Sequence, residues 1–519
     1  MFNNGLTVWQ KYINVLINKR RFAGILPEYE KIYARGFVIF EYLSVSSNQL
    51  IILMKISFYG AAREVTGSKF LIETEHGKNI LLDCGQFQGK GLETEEMNRA
   101  IPFSPVSIDH LILSHAHIDH SGLIPFLYRN GFTGSVVTTT ATRDLCSIML
   151  ADSGKIQEYD TRTFNKKRSR KHLPPVEPLY TQADAVSSMQ LFISVAYDRN
   201  FRIDEFTTVR FTNSGHMLGS AVINLELREK DGIKRIAFTG DIGRPYDNLL
   251  KSPRPFPQAD YLITESTYGD RLHPTMEESD EELFRVVQRT CVEKKGKLII
   301  PAFSVGRTQE IIYSLNLLYN AGRLPRVDIY VDSPLSVNAT NIFRMHTECF
   351  NKEVQEVMMT DPDPFGFNTL FYITSVEQSK RLNEITGPVI IISSSGMMEA
   401  GRVKHHLANS ISDPANTVLA VGYCAPSTLG ARLLRGAKEV SIHGNVYPVN
   451  AEIEKIESYS GHGDYKEMAD YLSCQDPDKL KKIFLVHGEY ETQLKYQSYL
   501  ESKGFRNIEI PSFGKSFSM

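Results

Sequence analysis

From Met54 onward, short runs of apolar and β-branched residues follow one another along the chain, each closed by glycine or a turn signal: KISFYG, KFLIET and NILLDCG. Runs of this length predict strands, and three in succession predict an opening β-meander. Between about residues 108 and 260 strand-like runs alternate with helical periodicity, as in DHLILSH, SVVTTTATRDLCSIML, TVRFTNSG, AVINLELRE and RIAFTGDIG. That rhythm predicts an α/β layer structure. A second α/β pattern fills residues 266–442, with strands predicted in KLIIPAF, VDIYVDSP, PVIIISSSG and TVLAVGYC and a helix in TQEIIYSLNLLYN. EIEKIESYSGHGDY and KIFLVHGEYE then return to short strands ending in histidines, which predicts that residues 443–519 rejoin the domain begun by 54–265. Residues 1–53 lack this rhythm. Two readings are open for them: an extension outside the native protein, with Met54 as its start, or a helical extension anchored by Trp9, the only tryptophan.

A chain of 519 residues exceeds what one core usually holds, so two units are expected. Hydrophobic residues at 42% and charged residues at 23% exclude a largely disordered protein. The net charge of −2 excludes a polybasic nucleic-acid binder, so any such contact must be local. One local candidate is the run Lys166, Lys167, Arg168, Arg170 and Lys171, which reads equally as a solvated loop. The six cysteines are scattered, without a CxxC pair, which fits a reducing cytoplasm. No apolar run approaches the roughly 20 residues of a membrane span, and no apolar segment follows the basic Lys19, Arg20 and Arg21 as in a secretory signal.

The densest chemistry lies in SHAHIDHSG, where the apolar strand LILS delivers His115, His117, Asp119 and His120 at its end. In an extended loop His115 and His117 share one side and can grip one ion, while a turn directs Asp119 and His120 to a second. Imidazole and carboxylate together suit zinc, with manganese or iron as substitutes.

These residues resemble the HxHxDH signature of the metallo-β-lactamase superfamily. The resemblance implies a four-layer αββα fold and extends to Asp83 in LLDCG, His216 in NSGHMLGS and Asp241 in AFTGDIG. By it, one zinc would have His115, His117, His216 and Asp241, and the other Asp119, His120, Asp241 and His487. Asp241 would bridge the two, and Asp83 would orient the ligand loop from behind.

The second half resembles the β-CASP branch of that superfamily, and in particular bacterial relatives of the nuclease subunit of the cleavage and polyadenylation specificity factor. Glu265 in LITEST, His462 in SYSGHGDY and His487 in LVHGE fill its three extra motif positions, and an α/β β-CASP domain would be inserted at 266–442. The resemblance implies hydrolysis of single-stranded RNA by Asp119, Glu265 and His462. His462 would protonate the departing ribose oxygen and Glu265 would support it. Family members often pair, so a homodimer is among the expected partners. In the inserted domain, PAFSVGRTQE and ISSSGMMEAGR each join a strand to a helix. Arg307, Ser393, Ser394, Ser395 and Gly396 are therefore candidates to hold an RNA phosphate. A hydrolase of small esters, thioesters or lactams and a non-catalytic RNA-binding scaffold are the rival readings.

Overall fold

Short apolar runs closed by turns pair the first three strands into a meander, as their pattern predicts. Lys55–Phe58, Phe70–Glu73 and Asn79–Leu82 run antiparallel, with Phe58 opposite Phe70 and Leu71 opposite Leu81. The computed structural model describes residues 53–89, 91–273, 279–422, 424–425, 427–456 and 459–519. Both readings of the N-terminal extension, and Trp9 with them, lie outside the described residues.

Four further strands extend the meander to seven, in the order Ser516–Ser518, Lys55–Phe58, Phe70–Glu73, Asn79–Leu82, His110–Ile112, Ser135–Thr138, Phe192–Ser194. A second seven-stranded sheet runs Ile508–Glu509, Lys482–Leu485, Tyr261–Thr264, Gly232–Phe238, Ala221–Glu229, Thr207–Asn213, Phe201–Arg202. Period-two alternation decides what each face buries. Ile56, Phe58, Phe70 and Ile72 meet Val209, Phe211, Ile223 and Phe238 in one apolar layer between the sheets. The opposite faces pack on helices. Leu71, Leu81 and Leu111 join Leu145 and Met149 of the long helix Thr140–Ser169, while Leu262 and Ile483 join Met468 and Tyr496 of the helices Tyr465–Leu472 and Tyr490–Ser502. The result is the four-layer αββα arrangement. Its central layer holds Phe58, Phe70, Phe211 and Phe238, each contributing about 1.5–3 kcal/mol on burial.

The third sheet is wholly parallel, in the order Leu370–Ile373, Asp328–Asp332, Val389–Ser393, Lys297–Pro301, Thr417–Ala420, Glu452–Lys455. Its central strands, such as VIIIS, are buried throughout because helices cover both faces. One boundary differs from the sequence expectation. EIEK, read as already back in the first domain, pairs Thr417 with Glu452 and Ala420 with Lys455 and so closes the edge of this third sheet. The short, half-polar strand carries no mark of which sheet it extends, and only pairing decides it. The chain leaves the second sheet after Thr264 and re-enters it at Lys482, and these two strands are parallel neighbours with Thr264 opposite Leu485.

Candidate metal centre

Asp83 follows the strand Asn79–Leu82 at a left-handed φ of 56°, a conformation that aspartate tolerates better than most residues. Its buried carboxylate accepts from the Ser114 N–H and Oγ at 2.7 Å each and from His120 Nδ1 at 2.6 Å. The turn expected to carry Asp119 and His120 is a single helical one, Ile118–Ser121. That turn is clasped from below. Ser68 N–H donates to the Asp119 carbonyl at 2.9 Å, and Gly85 lies so close that a Cβ there would stand 1.6 Å from the same oxygen. Lys69, almost fully buried, donates to the carbonyls of Gly67 at 2.8 Å and Gly85 at 2.7 Å, tying the two clasping loops together.

The other imidazoles are aimed by equally specific partners. His216 Nδ1 donates to the Gly461 carbonyl at 2.8 Å, and His487 Nδ1 donates to Thr267 Oγ1 at 2.9 Å. Each bond fixes the proton on Nδ1 and leaves the Nε2 lone pair free. Ser114, Gly461, Thr267, Lys69 and Gly85 were not expected from the sequence. Only the neighbourhood of Glu265 and Asp83 hinted at Thr267 and Gly85.

The freed atoms converge in two groups. In the first, His115 Nε2 and His216 Nε2 lie 3.4 and 3.5 Å from Asp241 Oδ2, and His216 Nε2 lies 3.1 Å from His117 Nδ1. In the second, His120 Nε2 lies 3.2 Å from His487 Nε2 and 3.3 Å from Asp241 Oδ1, and His487 Nε2 lies 3.4 Å from Asp119 Oδ2. Ligands about 2.0–2.1 Å from a tetrahedral zinc are separated by about 3.3–3.4 Å, so both groups have the edge lengths of a zinc shell. His115 Nε2 and Asp241 Oδ1 are buried without a hydrogen-bond partner, a costly arrangement that a cation between the groups would satisfy. The donors therefore fit one divalent ion in each group, with the carboxylate of Asp241 shared.

Electrostatics agree in the first group, whereas in the second burial is outweighed by the facing Asp241 and Asp83, which raise the His120 imidazole well above its usual value. Burial pulls the His115 imidazole down to about 3, with His120 adding to the effect, and lowers His117 and His216 as well, which keeps these rings neutral. Burial alone would raise Asp241, but the facing His120, His487 and His115 hold its carboxyl well below the usual range. Beside the groups, Glu265 is fully buried and accepts from the Ile242 N–H, while His462 Nδ1 lies 3.1 and 3.2 Å from the two Glu265 oxygens. Burial opposes the charge on His462, but Glu265 and then Asp241 outweigh it and raise the imidazole to about 9. His462 is 4.0 Å from Asp241 and its ring centre is 4.5 Å from that of His216, so it borders the first group of donors.

Three stretches match family models: the metallo-beta-lactamase superfamily at residues 63–152, the Beta-Casp domain at 308–433, and the Zn-dependent metallo-hydrolase RNA specificity domain at 446–511. Ribonuclease TTHA0252 of Thermus thermophilus is 34% identical over 465 residues, covering 89% of this chain and 99% of that protein. The chain belongs to the β-CASP metallo-hydrolase family. Transcription termination factor FttA of Methanocaldococcus jannaschii is 33% identical over 84% of this chain and 67% of its own length. Cleavage and polyadenylation specificity factor 73 of Drosophila melanogaster is 30% identical over 84% of this chain and 60% of its own length.

Of the candidate phosphate contacts in the inserted domain, Arg307 is the one placed differently from the sequence reading. Arg307 opens the helix Arg307–Asn320 but is buried, paired with Glu310 and stacked 5.3 Å over the Tyr459 ring. A guanidinium so engaged is not offered to a phosphate. The strand Val389–Ser393 ends on the first serine, and two helix N-termini adjoin the next: the Val403 N–H, opening the helix Val403–Ser410, donates to the Ser394 carbonyl at 3.3 Å, and Ser333, beside Ser394, caps the helix Pro334–Met345. Ser393 is buried and donates to the Asp332 carbonyl at 2.9 Å, Ser394 donates to Ser333 Oγ at 3.0 Å, and the Ser395 N–H closes onto the Ala400 carbonyl at 3.2 Å. Gly396 is half-buried against Phe303. The basic run, open to a loop reading, ends the helix Thr140–Ser169.

Proposed function

We propose that this chain is a two-zinc endoribonuclease that hydrolyses phosphodiester bonds of single-stranded RNA, with manganese able to replace zinc. One ion would be held by His115, His117, His216 and Asp241, and the other by Asp119, His120, Asp241 and His487, with Asp83 fixing His120 from behind. When bound, such a pair supplies Lewis acidity and a water acidic enough to act as nucleophile at neutral pH. The observation that carries the RNA reading is the His462–Glu265 pair beside these donors. A small activated ester needs no strong proton donor for its leaving group, whereas an alkoxide leaving from phosphorus does.

The roles of the chain's own groups follow from their partners. Glu265, held by the Ile242 N–H, fixes the proton of His462 on Nδ1 and favours the imidazolium, so that Nε2 carries a second proton for the departing ribose oxygen. Burial of Glu265 strengthens this pairing. The family model for an RNA specificity domain covers both His462 and His487, and a relative 34% identical is named a ribonuclease. All the expected donor positions are filled, which disfavours a non-catalytic scaffold. We place the reaction in a reducing cytoplasm, where Cys84, Cys146, Cys291, Cys349, Cys424 and Cys474 stay as the free thiols seen here.

The test is a time course of zinc-loaded protein on 5′-labelled single-stranded RNA beside a chelated control, resolved on a sequencing gel. Metal-dependent internal fragments are expected. Immediate release of a labelled mononucleotide would replace the endonuclease with a 5′ exonuclease, and no cleavage by protein shown to hold two ions would overturn the reading.

A further inference from the structure

The helix Thr140–Ser169 is anchored at the candidate metal centre and ends far from it. At its start, Thr139 and Thr142 hydroxyls donate to the Gly219 carbonyl at 2.6 and 2.8 Å, three residues after His216. Its 30 residues span about 45 Å at 1.5 Å per residue. The first half is buried at Leu145, Cys146, Met149, Leu150 and Gly154, and beyond Gly154 no residue of the helix is buried. The second half therefore projects as an arm.

The arm's chemistry is one-sided. Residues 155–172 carry seven Lys and Arg against only Glu158 and Asp160, in a chain whose net charge is −2. Lys166, Lys167, Arg170 and Lys171 are exposed, and none of their side chains is in an ion pair or hydrogen bond among the described residues. Cations in the last turn offset the helix dipole, but that effect amounts to about half a charge and is met by one of them. The tip is nevertheless firmly built. Asn165 exchanges two 2.9 Å bonds with the Val176 backbone, and Arg168 Nε donates to the Pro174 carbonyl at 2.7 Å. Aromatic faces lie among the charges: Tyr159 is 64% and Phe164 40% exposed, with the Arg168 guanidinium 5.6 Å over the Phe164 ring.

We infer that this arm is a second RNA-binding surface, which grips single-stranded RNA through its phosphates at Lys166, Lys167, Arg170 and Lys171 and by base stacking on Tyr159 and Phe164. Cations set among exposed aromatic rings are the combination that holds single strands without sequence preference. The arm's reach of about 40 Å from the centre corresponds to roughly 12 stacked nucleotides at about 3.4 Å each. RNA shorter than that span meets only the centre, and longer RNA meets both. The inference rests on the proposed action on RNA, and the experiment separates the two.

The full-length zinc-loaded chain is compared with its Lys166→Ala, Lys167→Ala, Arg170→Ala, Lys171→Ala variant on unstructured RNAs of about 6 and about 30 nucleotides, reading affinity against salt and initial cleavage rate. The expected result is a loss of binding to the long RNA on the order of tenfold at low salt. The salt slope should fall by about 3, from about 0.7 per phosphate contact removed, with zinc content and cleavage of the short RNA unchanged. Tyr159→Ala with Phe164→Ala should weaken long-RNA binding with the salt slope preserved. Equal affinity and slope for parent and fourfold variant on the long RNA would overturn the arm while leaving the nuclease reading intact. Failure of the parent to bind or cleave either RNA would overturn both.

Discussion

Replacing Asp83 by Asn tests how the centre is aimed, because it changes hydrogen bonding with almost no change of shape. Asparagine tolerates the left-handed φ of 56° at this position, so the backbone is not strained by the change. One carboxylate oxygen accepts from the Ser114 N–H and the other from His120 Nδ1 and Ser114 Oγ. An amide cannot reproduce this. If its oxygen faces Ser114, the NH2 group opposes the Nδ1 proton of His120; if it is flipped, the NH2 group opposes the Ser114 N–H. The first orientation is relieved by moving the His120 proton to Nε2, the atom that faces His487 and Asp241. Loss of such a supporting carboxylate typically costs about 10–100-fold in metal affinity, or about 1.4–2.7 kcal/mol. Loss of the charge-assisted bond itself costs the metal-free fold about 1.5–3 kcal/mol. Competition with a chromophoric chelator should therefore show one zinc bound nearly as in the parent and the second weakened at least tenfold. Two zinc ions bound with parental affinity by Asp83→Asn would refute the reasoning.

Three other perturbations separate the parts of the site. His462→Ala should keep both metals and lose most RNA cleavage, whereas Asp119→Ala and His487→Ala should lose metal as well; equal metal loss in all three, measured by elemental analysis, would remove His462 from its role as proton donor. Gly85→Ala should cost at least about 3 kcal/mol, because its Cβ would overlap the Asp119 carbonyl at 1.6 Å and the clasped turn must move; a parental melting temperature and zinc content would contradict this. Lys69→Met should cost about 2–4 kcal/mol by leaving the Gly67 and Gly85 carbonyls without a donor. Burial lowers the Lys69 ammonium to about 8 from 10.5, so the unfolded chain binds more protons between those values and stability should rise with pH across that window. Urea midpoints at the two ends of the window should show that rise in the parent and a smaller one in Lys69→Met.

The parts of the fold that were legible were those written in local pattern. KISFYG, KFLIET and NILLDCG are strand-length apolar runs closed by turn signals, and TQEIIYSLNLLYN carries its helical period openly. EIEK was misplaced because four half-polar residues name no partner strand, and its position was set by pairing with Thr417–Ala420. The metal centre followed the same rule. Donor-type residues at strand ends are visible in sequence, so His115 through His487 could be nominated, but the groups that aim them are not. Gly461 acts through a carbonyl and Lys69 through contacts to two loops, and neither residue type announces such a task. Arg307 shows the opposite failure. An arginine opening a helix after a glycine looks like a phosphate ligand, and only Glu310 one turn later, buried with it, reveals that its charge is already used.

The insertion of a whole parallel sheet into the middle of a hydrolase domain is tolerated because of where the chain leaves and returns. Thr264, where the chain leaves, and Lys482, where it returns opposite Tyr261, lie on adjacent parallel strands, so the excursion spans one strand spacing of about 4.8 Å and a strand length of about 10 Å. Loop-closure entropy grows only logarithmically with the length inserted, so a large excursion costs the parent sheet little more than a short one. The same adjacency has a chemical consequence. Glu265 is the first and His487 the second residue past the ends of those paired strands, while His462 enters on the returning segment with the Gly461 carbonyl that fixes His216. The His462–Glu265 pair and the second donor group are thus completed only when the inserted domain has brought the chain back, and the first group, complete by Asp241, then gains the carbonyl that aims His216. Folding of the β-CASP segment and assembly of the centre are therefore coupled through the backbone itself.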